Sequence, residues 1–365
     1  MTPPPAALLT PVCERLGIEA PIFGFSHSVA VTAALSEAGG LGVFGATRST
    51  PEEIRRDLGR LRARLGARPF GVDLVLPRGM PEHDDRAAIE AAIPEGHRAF
   101  VADLAARYGV PASSEPGMRS RFVRSEETAR AQIDAVLESD VDLFACGIGM
   151  PVAAVERAKA DGKTTLALVG RPRHAHAALE AGADILVAQG YDAGAHTGPI
   201  GTLSLVPQIV DLAGEVPVLA AGGIATGGQL VAALAMGAQG VWLGTAWLLT
   251  EEHALDEILV EKLRRAGSDD TVISRADSGK TLRQIRTAWS DEWAAEGAPQ
   301  PLAMPYQDIL VGDLLGAIDE HRVAPLMHYP AGQSIAFCGE RTTVADTVGR
   351  LLREAGVALA RLAPG

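Results

Sequence analysis

A short apolar run, often β-branched and ending at or near glycine, is followed by an Ala-, Leu- and Glu-rich stretch of helical character. This unit recurs about eight times in the first two-thirds of the chain. The runs at 21–25, 41–45, 70–76, 142–147, 164–169, 184–189, 217–221 and 240–245 are apolar without alternation, the pattern of strands buried on both faces. A helix after each strand carries the chain back to the same end of the sheet, so neighbouring strands run parallel. Eight such units imply an α/β fold closed into a (β/α)8 TIM barrel; an open doubly wound sheet is the competing arrangement.

Local signals mark the ends of the units. The helical stretch 29–38 stops at Gly39-Gly40, and Thr50 precedes Pro51-Glu52-Glu53, with proline at the first helical position and acids in the first turn. Two segments break the rhythm. Residues 77–140 are too many for one strand-to-helix connection; they include a helical stretch at 99–108 and the turn-rich PASSEPGMRSR, and are expected to add to the catalytic mouth. From about residue 251 to 365 the chain reads as mostly helical, with Trp289 and Trp293 four apart on one helix face, a spacing typical of core packing. The expected organisation is therefore a barrel over 1–250, with its insertion at about 77–140 after the third strand. A helical region over 251–365 packs back on the substrate side.

Composition narrows the function classes. Of 365 residues, 47% are apolar and 21% charged, as in an ordinary globular protein. A net charge of −12 argues against a nucleic-acid or anionic-membrane surface. Cys13, Cys146 and Cys338 are far apart and form no CxxC spacing, which suggests neither a disulfide framework nor a zinc site. The opening MTPPPAALLTPVCERLG lacks a positive n-region and is broken by proline, and no apolar run reaches membrane-spanning length. A soluble cytoplasmic protein is expected; the pattern does not bear on oligomeric state.

Two nucleotide-like motifs fail on context. The glycines of Gly40-Leu41-Gly42-Val43-Phe44-Gly45 run through a strand, whereas a dinucleotide turn follows a strand and opens a helix. Gly279-Lys280-Thr281 has Ser274 where a P-loop needs glycine, and no apolar strand precedes it. Better placed are Gly222 and Gly223 after the seventh strand and Gly244-Thr245 after the eighth. There a phosphate can approach backbone N–H groups, and the helix beginning near Thr226 adds positive dipole; a plain tight turn is the alternative. The sixth strand runs into VAQGYDAGAHTG, a glycine-rich loop that puts His196 at the catalytic end, with Tyr191 and Asp192 beside it. His27, just past the first strand, faces either a ligand or solvent. His174 and His176 point apart on a helix, and no metal site is expected.

These residues carry a resemblance to the nitronate monooxygenase family, formerly the 2-nitropropane dioxygenases. AQGYDAGAH resembles the family's Ala-Gln-Gly strand end and Ala-Gly-Gly-His loop, with Ala195 in place of the second glycine. Ala20-Pro-Ile-Phe-Gly24 is similar to the family's first strand and Phe70-Gly-Val-Asp-Leu74 to its third, with Asp73 where asparagine is usual. AAGGI and LGT match the last two strands, and Ala331-Gly-Gln-Ser334 matches a segment beside the flavin. The resemblance implies FMN, with its phosphate on Gly222, Gly223, Gly244 and Thr245. Gln189, Gly194 and Gln333 would lie near the cofactor, and Gly24 and Asp73 would approach its ring system.

His196 would be the catalytic residue, acting on a nitroalkane or nitronate while the flavin takes electrons and molecular oxygen reoxidises it. An FMN-dependent NAD(P)H reductase acting on enoyl thioesters or quinones is the alternative, and a non-catalytic flavin or phosphate-ligand binding protein a second. Two departures from the family pattern bear on the chemistry. Ala195 requires a loop conformation that alanine can adopt or makes the pocket smaller, and a charged Asp73 disfavours an anionic reduced flavin unless it is paired or protonated.

Overall fold

The computed structural model describes residues 6–362. Eight strands close a parallel barrel in the order β1 (Ile22–Ser26), β2 (Leu41–Gly45), β3 (Gly71–Val75), β4 (Leu143–Gly147), β5 (Thr164–Val169), β6 (Ile185–Gln189), β8 (Val218–Ala221) and β9 (Gly240–Leu243). β7 (Ala195–His196) lies in the loop after β6 and pairs antiparallel with β11 (Leu282–Ile285), which pairs in turn with β10 (Thr271–Ser274). Every strand expected from the apolar runs is present, and β9 closes on β1 with Ile22 opposite Val241. The open doubly wound sheet is thereby excluded.

Strand alternation divides the apolar residues between two cores. Phe23, Leu41, Val43, Leu143, Ala145, Leu166, Ile185, Val187, Leu219 and Trp242 fill the barrel. Val12 and Cys13, from the helix Pro11–Leu16, join them, and Thr10 Oγ1 donates to the Gln239 carbonyl at 2.6 Å, closing the end where the strands begin. Ile22, Phe44, Val72, Leu74, Phe144, Leu186, Ala220 and Val241 face the outer helices instead. The helix Pro51–Leu65 starts as its sequence directs. Thr50 Oγ1 accepts from Glu53 N at 3.3 Å and the Glu53 carboxylate from Thr50 N at 2.8 Å, a reciprocal cap worth about 1 kcal/mol.

The long segment after β3 holds three helices where the sequence reading expected one. Glu126–Leu137 packs on Pro51–Leu65 and so takes the barrel's regular helical position. Arg86–Ala92 and Glu95–Arg107 pack instead on Tyr306–Glu320. The loop at Gly117 presses on the same helix, since a Cβ on Gly117 would stand 1.9 Å from the Gly312 carbonyl oxygen. Trp289 and Trp293 are both buried in this outlying core, their rings edge-on at 5.9 Å. The region after residue 250 also contains the β10–β11 hairpin, which the helical reading missed. Among the described residues no helix is long and apolar enough to cross a membrane, and Cys13, Cys146 and Cys338 are buried free thiols.

Candidate active site

The C-terminal ends of the strands open into a cavity of about 1280 Å³, lined by residues from the barrel, the insertion and the C-terminal region. Of the expected site residues, Asp73, Gln189, Gly194, His196, Gly222, Gly223, Gly244 and Thr245 line it together; Gly24 and Gln333 do not. Alternation explains Gly24. Phe23 and Phe25 point inward, so a side chain at position 24 would point outward, 2.2 Å from Leu35 Cδ1. Phe25 lines the cavity in its place, and Ser334 does so in place of Gln333.

His196 is fixed from three sides. Its carbonyl accepts from Gln189 Nε2 at 2.7 Å, its backbone pairs with Leu282 of β11, and its Nε2 lies 2.9 Å from Ser278 Oγ. Burial lowers its pKa to about 3, assisted by the charges of Arg124, Arg119 and Arg48, so the imidazole is neutral at physiological pH. Ala195 adopts φ +57°, the left-handed conformation that glycine takes freely. Alanine is thus held at a strained backbone conformation. Arg283 clamps the same loop: Nε and Nη2 donate to the Tyr191 carbonyl at 3.2 and 3.1 Å, and the guanidinium sits 4.5 Å from the Tyr191 ring centre. Asp192 accepts from Thr202 N at 2.9 Å and so ties the loop to the next helix.

Asp73 points into the barrel mouth from β3. It is 4% exposed, its Oδ1 has no hydrogen-bond partner among the described residues, and burial pushes its pKa up to about 7. His27 lines the cavity with Nδ1 2.7 Å from the Gly45 carbonyl oxygen, and burial lowers its pKa to about 4. His174 reaches the cavity wall, whereas His176 does not line it.

Much of the site's charge was not read from the sequence. Arg48, Arg119, Arg124, Asp277 and His328 all line the cavity. Asp277 accepts from Arg119 Nη2 at 2.7 Å and Trp289 Nε1 at 2.9 Å, and both its oxygens lie 3.1 Å from His328 Nε2. His328 stacks on Trp289, with ring centres 5.7 Å apart and planes within 3°. Its other nitrogen meets the Leu326 carbonyl at 3.0 Å, and Asp277 holds its pKa above the ordinary value against the opposing effect of burial. Arg48 follows β2, Arg119 and Arg124 come from the insertion, Asp277 from the β10–β11 connection and His328 from the segment after Tyr306–Glu320, and no motif announced them. The only nearby signal was the Gly279-Lys280-Thr281 run, which is adjacent to Asp277 and Ser278.

The glycine-lined end suits an oxyanion. Gly222 and Gly223 have φ +100° and +71°, and their amides have no backbone acceptor among the described residues. A Cβ on Gly244 would meet nothing within 4 Å. Across from them Gly194 is pressed against Ala331 and Gly332, and Gly332 N donates to Thr245 Oγ1 at 2.9 Å. The first amide of the next helix is already engaged. The N-terminal amide of Gly227–Ala235 donates to Glu354 Oε2 at 2.8 Å, so a carboxylate from the last helix, Val344–Leu362, already takes that dipole end. Open glycine amides, a buried carboxyl without a partner and a neutral imidazole fit a phosphate-bearing redox cofactor.

Comparison with known proteins agrees with this geometry. The family model for nitronate monooxygenase matches residues 12–354. A Mycobacterium tuberculosis protein named as a monooxygenase is 43% identical over 315 residues, covering 83% of each chain. A Staphylococcus aureus protein named as a nitronate monooxygenase is 29% identical over 337 residues, covering 88% of this chain and 90% of its own. Among solved structures, nitroalkane oxidase from Streptomyces ansochromogenes superposes with a TM-score of 0.82 at 30% identity, covering 96% of this chain and 99% of its own. FabK from Thermotoga maritima gives 0.74 at 27% identity, covering 97% and 98%. Barrel and relatives agree: the chain belongs to the nitronate monooxygenase family and is an oxidoreductase of that flavoenzyme group.

Proposed function

We propose that this protein oxidises alkyl nitronates with molecular oxygen, using FMN. Gly222, Gly223, Gly244 and Thr245 would hold the phosphate, with Gln189, Gly194 and Asp73 toward the ring system. When bound, FMN supplies electron acceptance and reactivity with oxygen. The protein supplies placement and charge. The observation that carries the reading is a neutral His196 facing a cavity whose wall includes Arg48, Arg119 and Arg124. A nitronate is an anion with its charge on the nitro oxygens. The guanidinium groups favour its entry, and a neutral imidazole can hydrogen-bond to it without neutralising it.

The test is the visible spectrum of the purified protein, followed anaerobically as a nitronate is added to one sample and NADPH to another. Bleaching by nitronate alone is expected. Absence of a flavin band even after incubation with FMN would overturn the cofactor assignment and the reaction with it.

A second reading, an NAD(P)H-dependent reductase of enoyl thioesters or quinones, draws on the cavity volume of about 1280 Å³, ample for a flavin and a sizeable second ligand. Bleaching by NADPH alone would favour it.

A further inference from the structure

We infer that Ser278 is a positioning residue that sets the tautomer of His196, so that the imidazole presents an N–H group, not a bare nitrogen, to whatever binds in the cavity. The inference rests on the reading of His196 as the substrate-facing residue and adds the direction of its hydrogen bond.

Hydrogen-bond capacity decides the tautomer. Ser278 is 1% exposed, and its hydroxyl carries one hydrogen and two lone pairs. Lys280 N donates to Ser278 Oγ at 3.4 Å, which uses a lone pair. The one recorded partner that can accept the Ser278 hydrogen is His196 Nε2, at 2.9 Å. If Nε2 carried the proton, Ser278 would accept twice and its own hydrogen would be buried without an acceptor, at a cost of the full desolvation penalty. Ser278 therefore donates, Nε2 accepts, and the ring proton sits on Nδ1. Among the described residues Nδ1 has no hydrogen-bond partner, and His196 lines the cavity, so this N–H awaits an acceptor on the ligand.

The mount of Ser278 is rigid, as a tautomer-setting group requires. The preceding residue, Asp277, is held by Arg119, Trp289 and His328. The following Gly279, at φ +75°, lies so close to the chain that a Cβ would stand 2.1 Å from the Leu302 carbonyl oxygen. Ser278 lies in the β10–β11 connection, a short way before Leu282, which pairs directly with His196, so the hydroxyl is held close to the ring it addresses. In this arrangement His196 steadies negative charge on a ligand oxygen. Taking a proton at Nδ1 would first require the ring to change tautomer and Ser278 to surrender its acceptor.

The experiment is nitrogen-15 NMR of the FMN-loaded enzyme labelled at histidine, with the His196 signals among the nine histidines assigned by their loss in His196→Asn. The expected spectrum shows a protonated Nδ1 and an unprotonated Nε2 across neutral pH. The reverse pattern would overturn the inference. Ser278→Ala is expected to give mixed tautomers and to lower kcat/KM for a nitronate by roughly tenfold or more, with flavin content retained. Ser278→Thr, which keeps the hydroxyl, should restore both. An unchanged tautomer and rate in Ser278→Ala would sink the assignment even if Ser278→Thr misfolds. A protonated Nδ1 in an enzyme that oxidises no nitronate would support the role of Ser278 while removing the proposed reaction.

Discussion

Replacing Asp73 by asparagine isolates the cost of one buried carboxyl group. The side chain keeps its shape, and asparagine is the usual residue of the family at this position. Asp73 is 4% exposed with an unpartnered Oδ1, and its pKa rises from the ordinary 3.8 to about 7. Between those values the folded protein keeps a proton that the unfolded chain has released. Stability is therefore fully present below about pH 4 and falls as pH rises through the folded value, levelling off above about pH 7. At about 1.4 kcal/mol per pH unit the whole loss is about 4 kcal/mol, of which about 3 kcal/mol falls between pH 5 and 8. Asparagine has no ionisation and should lose none of it. Urea unfolding of both flavin-free proteins at pH 5, 6, 7 and 8 reads the difference directly. The Asp73→Asn advantage should widen with pH by roughly that amount; parallel curves across the range would refute the reasoning.

Ala195→Gly removes the strain of a left-handed alanine but adds unfolded-state entropy, so a net gain of about 1 kcal/mol or less is expected in the same unfolding assay. A loss would show that the strain is not there. Gly117→Ala should push residues 113–119 off Tyr306–Glu320, costing about 1–3 kcal/mol and raising KM, because those residues line the cavity; an unchanged KM would separate the loop from substrate binding. Arg119→Met strips the buried Asp277 of its cation and should destabilise by about 3 kcal/mol, the lower end for a broken buried pair because His328 and Trp289 remain; a neutral result in thermal or urea unfolding would contradict the pairing. His196→Asn with flavin still bound should lower nitronate turnover by about a hundredfold or more, and an unchanged rate would end its catalytic assignment.

The barrel was legible because its information is local. Most strands are largely apolar runs, several helices have their own stop or cap, and Thr50 with Glu53 caps the helix that its sequence announces. The glycine loop and His196 were legible for the same reason, as was the restriction at Ala195. What escaped depends on long-range contact. Ser278 meets His196 across 82 positions, and Arg119 meets Asp277 across 158. No spacing rule connects them. β10 and β11 were hidden because neither is a continuous apolar run: Arg283 and Gln284 lie within β11. The engagement of the Gly227 amide was hidden because the carboxylate that meets it, Glu354, lies on the last helix.

The two-residue strand that carries His196 has a consequence for synthesis. A chain emerging from its N-terminus can assemble all eight staves by residue 243, yet the partner for His196 begins at Leu282 and the hydroxyl that addresses its ring is at position 278. A nascent or truncated chain ending between residues 245 and 278 would hold Gly222, Gly223, Gly244 and Thr245 but neither the second strand nor the hydroxyl that addresses the ring. The cavity around His196 is thus finished late, by a segment outside the barrel, and the order of translation keeps a half-made chain from presenting the finished site.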